Sequence, residues 1–485
     1  MLCYINCRQF DLEYNVNMHR RQFSSLAKSR QPDRSGLPES PKMPSRPEII
    51  ASSTRVAGIS LCLGLSSLIF FSPAVSAKQK NSAARYPDQF YVDKNFDRRT
   101  MNTVDKYISK ELFDEKLAKT VWKEALHQDE DKILSSANLK ELSLSMNDAI
   151  AHLKLSHCNF VTVNDEMYGF LHSMFSDFSK KLGRGKVDFV GFHAGGNGFA
   201  DNQVRYVLDG SPADKAGMKI GDIVRKVNGK PYIGEMNFFG TTGSTAQVDI
   251  ERKGEQRTLS MKPIKADVYD AYLKAMKESI SVQTLNGKKI GYIHLWCGGR
   301  RSHEAFEDLL SSEKLDGTDG LILDMRDGYG GNDMSDLDRF YRSEKAYPIF
   351  SVSYRGGKKQ VFKEFYDKPV VAIINGGSRS GKELLAYSLK RTGRARLVGT
   401  KTAGAVLGGR LMPINDRSSL YVAVFDGTVS GERLEGKGVA PDVEIDNSDH
   451  DQQGYDRQTQ AARDELSKML SQNSSLSQSS AVQAR

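Results

Sequence analysis

Apolar residues recur every three or four positions in "KELFDEKLAKTVWKEAL" and "LKELSLSMNDAIAHLKL", which predicts a mainly helical segment over residues 78–185. It closes on "LSHCNFVTVN", where helical spacing gives way to an extended piece. From 186 to 268 the period shortens. The runs "FVGFHA", "QVRYVLDG" and "TAQVDIERKG" are β-like, are separated by glycine turns, and predict a small β domain. A charged helical stretch at 266–280 then leads into alternating strands and helices: "KKIGYIHLW", "HEAFEDLLSSEK", "GLILDMRD", "DLDRFYRSEK", "PVVAIIN", "KELLAYSLKRTG" and "ARLVG". That order predicts an α/β core over 269–446 with a mostly parallel central sheet, so the chain reads as a multidomain α/β protein. Residues 447–485 predict a short polar helix and a Ser/Gln-rich tail that is disordered at its end. No internal repeat is visible.

Within the core, "VVAIINGGSRSGKELLAYSLK" (370–390) runs from a buried strand through a glycine-rich turn into a helix. Gly376, Gly381 and Lys382 give most of a phosphate loop, G-x-x-x-x-G-K. The next position must carry a hydroxyl for magnesium, and here it is Glu383, whose carboxylate would repel phosphates. The same geometry exposes a nucleophile where helix-start N–H groups favour a developing oxyanion, and Ser380 stands there. A serine hydroxyl needs a base, and imidazole suits that task near neutral pH. The bland alternative for Ser380 is a helix cap.

Composition is that of a globular protein of 485 residues. The formal net charge is +9, and residues 1–77 hold nine Lys/Arg against five Asp/Glu, so little basic excess remains elsewhere and a nucleic-acid partner is not indicated. Cys3, Cys7 and Cys62 precede residue 78; only Cys158 and Cys297 follow it, which gives neither a disulfide framework nor a zinc spacing and leaves one bridge between the two open. With no H-E-x-x-H and no ligand spacing among the histidines, no metal and no cofactor is implied. No charge occurs from Val56 to Ala77, and the small-residue exit Val75-Ser76-Ala77 reads as an export signal cleaved after Ala77, hence a periplasmic or extracellular protein. Val56–Phe71 is short for a spanning helix, and an uncleaved membrane anchor is the alternative. The fifty-five residues ahead of it are long for such a leader. A later start at Met43 would shorten them, whereas the pair Arg20-Arg21 lies far from the apolar run for a twin-arginine signal.

Residues 186–268 resemble a PDZ domain, through "FVGF" at Phe189–Phe192, "GSPADKAGMKIGDIVRKVNGK" at Gly210–Lys230 and "GSTAQVDIERKG" at Gly243–Gly254. The resemblance implies a groove that takes an extended peptide by strand addition, with Phe189, Val190, Gly191 and Phe192 forming the nest for a terminal carboxylate. Together with "LILDMRDGYGGN", "NGGSRSGKELLAYSLKRTGRARLVGTKTAGA" and "LEGKGVAPDVEID", the chain from about 150 to 446 resembles the carboxy-terminal processing (tail-specific) peptidases and the related tricorn core proteases. That likeness implies a core of the ClpP/crotonase type and serine endopeptidase activity on extended protein segments, without a cofactor.

The processing branch of the family uses a serine directly before the helix-opening glutamate and a lysine after the "VG.KT.G" run. Here those positions are Lys382 and Ala405, so that dyad is absent. The tricorn branch places its serine three residues before the acidic residue, which fits Ser380. Its histidine follows a serine, which fits Ser156-His157, and its glutamate lies three residues before the glycine of "GV.PD", which fits Glu435. The implied roles are nucleophile for Ser380, base for His157, and orientation of the imidazole by Glu435 with Ser156 assisting. Gly381, with Gly330 or Gly331 of "GYGGN", would supply the oxyanion amides. Lys382 sits two positions into a helix from Ser380 and would point elsewhere; Lys401 reads as structural. A catalytically inactive peptide-binding scaffold is the main rival, and a nucleotide-binding protein a weaker one. Oligomeric state is not legible.

Overall fold

The computed structural model describes residues 91–179, 182–332, 334–341, 350–353, 355–357, 359–362, 365–446 and 456–483. The expected export signal and anchor at 56–77, the start at Met43 and the Arg20-Arg21 pair lie outside the described residues. Among the described residues no helix is long and apolar enough to cross a membrane.

Among the described residues four helices come first: Lys94–Glu111, Glu115–Lys119, Val121–Leu134 and Leu139–Ala151. Three of them start on side-chain caps. Asp93 accepts from the amide of Phe96, Asp114 from Leu117, and Asn138 from Lys140 and Glu141, while Glu141 reaches back to the amide of Ala137. Met101, Val104 and Ile108 form the buried stripe of the first helix at the spacing a 3.6-residue period requires. They pack with Trp122, Leu142, Met146 and Phe160 against Leu420 and Val422 of a distant hairpin. That hairpin, Gly408–Asn415 with Ser418–Phe425, pairs antiparallel with Asn159–Thr162 in one three-stranded sheet. Residues near 157 are thereby fixed beside residues near 421, more than 250 positions along the chain.

The β domain hangs from a paired stem in which Lys186–Phe189 runs antiparallel to Ile264–Asp267. Beyond the stem, five strands pair in the order Phe192–Gly196, Phe199–Val207, Ile223–Val227, Ala246–Arg252, Glu255–Met261, so Phe192–Gly196 is an edge. Its own core contains Val204, Val224, Phe238, Val248 and Ile250.

The central sheet has six strands in the order Ser281–Leu285, Lys288–His294, Gly320–Asp324, Val370–Ile374, Ala395–Gly399, Val443–Glu444. The first pair is antiparallel and every other pair parallel. Gly320–Asp324 and Val370–Ile374 are buried at every position, which is why they read as unbroken apolar runs instead of alternating ones. One face packs on the helices Val268–Ser279, Arg300–Leu310 and Gly381–Arg391 through Leu321, Leu323, Ala372 and Ile374. The other packs on Ala462, Leu466 and Leu470. These belong to a 27-residue helix, Arg457–Gln483, so the short helix and disordered tail expected here are replaced by a continuous helix over most of that stretch. Cys158 and Cys297 are both buried free thiols, which closes the question of a bridge between them.

Candidate active site

Strands Gly320–Asp324 and Val370–Ile374 lie side by side and end at the same edge of the sheet, the edge at which parallel α/β sheets build their sites. The turn after the second strand is tied to the first. Asn375 donates to Asp327 Oδ2 at 3.0 Å and accepts from the amides of Asp327 and Gly377, while Ser378 Oγ donates to the Met325 carbonyl at 2.9 Å. Ser380 follows, directly ahead of the helix Gly381–Arg391, with φ 57° and ψ −127°, a backbone conformation that costs any residue with a Cβ. It is held there by its amide, which donates to the Ala405 carbonyl at 2.8 Å and to Glu383 Oε2 at 3.1 Å.

Glu383, the residue that spoils the phosphate-loop pattern, is fully buried. It accepts from Thr402 Oγ1 at 2.6 Å and from the amides of Gly404 and Ala405, both at 2.7 Å, and so pins the 402–405 loop to the helix start. Burial pushes its pKa up, against these donors. Lys382 is fully buried too, and its Nζ donates to the carbonyls of Asp327 (2.6 Å) and Trp296 (3.3 Å), not to Ser380. Desolvation lowers its pKa to about 8. A lysine tied inward to carbonyls is unavailable to a nucleotide phosphate, so the phosphate-loop reading fails on both residues. Lys401 is exposed.

His157 sits in the turn after the helix Leu139–Ala151, itself at φ 57° and against Tyr421 with ring centroids 5.5 Å apart. Its Nε2 lies 3.1 Å from Ser380 Oγ, and its Nδ1 2.8 Å from Ser156 Oγ. Ser156 Oγ in turn donates to Glu435 Oε2 at 2.9 Å, and the Ser156 amide to Oε1 at 3.1 Å. The Val406 amide also donates to Oε2, at 2.7 Å. Glu435 therefore reaches the imidazole through Ser156 and not directly. A carboxylate only accepts, so the Ser156 proton points to Glu435, the Ser156 oxygen accepts Nδ1–H, and Nε2 keeps its lone pair toward the Ser380 hydroxyl. Burial pushes the imidazole pKa down to about 4, partly offset by Glu435 and reinforced by the nearby Arg379 cation.

The glycine loops meet at Ser380 in backbone contact. A Cβ on Gly330 would lie 2.6 Å from Ser380 Cβ, and one on Gly381 would lie 2.0 Å from the Asn332 carbonyl oxygen. The Gly330 and Gly331 carbonyls accept from the amides of Gly298 (3.0 Å) and Gly299 (2.9 Å). Among the described residues no protein acceptor takes the amides of Gly330, Gly331 or Gly381.

In the β domain, Phe189, Val190 and Phe192 are buried. The Val190 carbonyl accepts from Ala213, and the Gly191 carbonyl from Leu208 and from Ser211 Oγ. Gly191 has φ 85°, and a Cβ there would meet Ser211 Cβ at 2.3 Å. These four residues thus shape the turn from stem to edge strand through side chains and carbonyls already engaged.

An α/β core with a serine at a strand-to-helix turn, joined through an imidazole to a carboxylate, defines a serine-hydrolase arrangement. Residues 289–445 match the sequence model of peptidase family S41, and residues 203–238 match that of a PDZ domain. The likeness to peptidase family S41 thus covers the α/β core, and the likeness to a PDZ domain covers part of the β domain ahead of it. Over 253 residues it is 26% identical to the carboxy-terminal processing protease CtpB of Bacillus subtilis, covering 50% of this chain and 52% of that one. It is 27% identical over 261 residues to the carboxy-terminal-processing protease of Bartonella bacilliformis, covering 49% and 57%. The chain spans about half the length of these curated relatives. Among solved structures, that of the tricorn protease is similar, with a TM-score of 0.46 and 19% identity over 77% of this chain and 37% of that one.

Proposed function

We propose that this protein is a serine endopeptidase that hydrolyses extended protein segments through an acyl-enzyme. The carrying observation is the unbroken hydrogen-bond chain Ser380–His157–Ser156–Glu435. Ser380 Oγ attacks the peptide carbonyl while Nε2 of His157 takes its proton. The imidazolium keeps Nδ1–H on Ser156, whose hydroxyl passes the influence of the Glu435 charge to the ring. The free amides of Gly381 and of Gly330 or Gly331 face the carbonyl oxygen as it gains charge. The imidazolium then protonates the leaving amine, and water, deprotonated by the same nitrogen, releases the acyl group from Ser380. The PDZ domain, with its turn at Phe189–Phe192 and open edge strand, presents the segment to the core. The leader at 56–77 supports export, with the substrate met outside the cytoplasm.

The test is a serine-directed phosphonate probe followed by peptide mapping. Labelling at Ser380, lost in Ser380→Ala together with peptide hydrolysis, is expected. Hydrolysis that survives Ser380→Ala removes Ser380 as nucleophile, and peptide binding without any hydrolysis in wild type makes the protein a scaffold.

A further inference from the structure

Arg379 directly precedes Ser380, and its backbone is fixed: its carbonyl accepts from the Lys382 amide at 3.2 Å and would lie 2.6 Å from a Cβ on Gly330. Its side chain is half-buried, and its Nε is buried without a hydrogen-bond partner. No hydrogen bond or ion pair to the guanidinium is found among the described residues. The carboxylates of the adjoining loops each have partners of their own, although Asp327 Oδ1 accepts no hydrogen bond among the described residues. Asp327 pairs with Arg205 at 3.1 Å and accepts from Asn375, Glu383 accepts from Ser380, Thr402, Gly404 and Ala405, and Glu435 from Ser156 and Val406. The charge of Arg379 nevertheless reaches two imidazoles. After burial, it helps depress the imidazole of His157 on the nucleophile side and, with Arg205, that of His193 on the PDZ edge strand.

A guanidinium cannot shed its proton, and leaving a buried N–H unpaired costs free energy. Its planar fork fits a carboxylate through two parallel hydrogen bonds. We propose that Arg379 is a specificity-determining residue that binds a carboxylate of the substrate within one or two residues of the scissile bond. The source is either the terminal α-carboxylate of the peptide or an Asp/Glu side chain. The inference rests on the peptidase reading and adds to it the chemistry of the preferred substrate.

The test uses one peptide sequence in four forms: free or amidated terminus two residues beyond the cleaved bond, each with Asp or Asn flanking that bond. kcat/KM is measured for wild type, Arg379→Lys and Arg379→Met. Equilibrium binding of the same peptides is measured in the Ser380→Ala background with and without Arg379→Met. A wild-type preference of about 10- to 100-fold for a carboxylate form is expected, reduced in Arg379→Lys and near unity in Arg379→Met. Preference for the free terminus over the amide identifies the α-carboxylate as ligand; preference for Asp over Asn identifies the side chain. Removing the cation also raises the acid limb of the kcat/KM profile of Arg379→Met, a change that misfolding would not produce. No carboxylate preference in wild type, or one retained in Arg379→Met, overturns the assignment. Should no form be hydrolysed, the peptidase reading fails, and the binding series still decides on Arg379.

Discussion

Glycine at position 380 should give a more stable protein than alanine, although both variants lack the proposed nucleophile. The cause is the backbone of Ser380, held at φ 57° and ψ −127° by the Ala405 carbonyl and the Glu383 carboxylate. A residue with a Cβ in such a sparsely populated region costs about 1–3 kcal/mol. Alanine keeps the Cβ and hence the strain. Glycine removes it, at the expense of about 0.5–1 kcal/mol of extra unfolded-chain entropy. Both lose the Oγ contact with His157, so that term cancels. The net difference favours Ser380→Gly over Ser380→Ala by about 1–2 kcal/mol, or a few degrees in unfolding midpoint. Thermal and urea unfolding of the two variants side by side reads it, with loss of phosphonate labelling in both as the control. If glycine proves no more stable than alanine, the strain assigned to this turn is not there, and the argument that a rigid surround holds the hydroxyl in place against a backbone penalty falls with it.

His157 must be neutral to accept a proton, and its imidazole is depressed to about 4; the acid limb of kcat/KM should therefore fall well below pH 6, and a limb at the ordinary histidine value near 6.5 would contradict the burial described. Lys382 is depressed to about 8, so between pH 8 and 10.5 the unfolded chain binds the extra proton and wild-type stability rises with pH. Urea midpoints at pH 7 and pH 10 should show this rise, about 2–3 kcal/mol at most, shrinking in Lys382→Met; an equal rise in both proteins refutes it. Gly330→Ala places a methyl 2.6 Å from both Ser380 Cβ and the Arg379 carbonyl, and pushing the loop away should lower kcat by about 100-fold or more and cost about 1–3 kcal/mol of stability; single-turnover kinetics and calorimetry would record both, and an unchanged kcat refutes it.

Much of the core was legible because its central strands must be apolar at every position, and "LILD" and "VVAII" say so directly. Ser380, His157, Ser156 and Glu435 could be named only as what the family resemblance implies, each through a short motif that it shares. The routing between them could not: that Ser156 stands between the ring and Glu435 is a matter of three loops meeting. Glu383 showed the limit most clearly. In sequence it is only an acid where a hydroxyl was needed, whereas in the fold it anchors the loop of Ala405. The hairpin 408–425 and its pairing with Asn159–Thr162 depend on contacts across the whole chain, which no local pattern carries. The C-terminal helix was underestimated because its buried stripe, Ala462, Leu466 and Leu470, is narrow and the Ser/Gln composition around it mimics a tail. Arg379 belongs to no pattern at all; that its Nε is buried without a partner among the described residues shows only in the fold.

The stem Lys186–Phe189 with Ile264–Asp267 has a consequence for how such a molecule could be rebuilt. Because the chain leaves and returns through one antiparallel pair, everything between is a cassette on a ladder of four residue pairs, exchangeable without rethreading the rest. A foreign cassette would have to reproduce an aspartate for the Trp296 indole, now Asp209, a phenol for that of Tyr272, now Tyr206, a cation for Asp327, now Arg205, an acceptor for Lys140, now the Ile233 carbonyl, and the apolar contacts of Leu208 and Met236. Transplanting a different module onto the same α/β body is then a problem of a handful of contacts and a stalk.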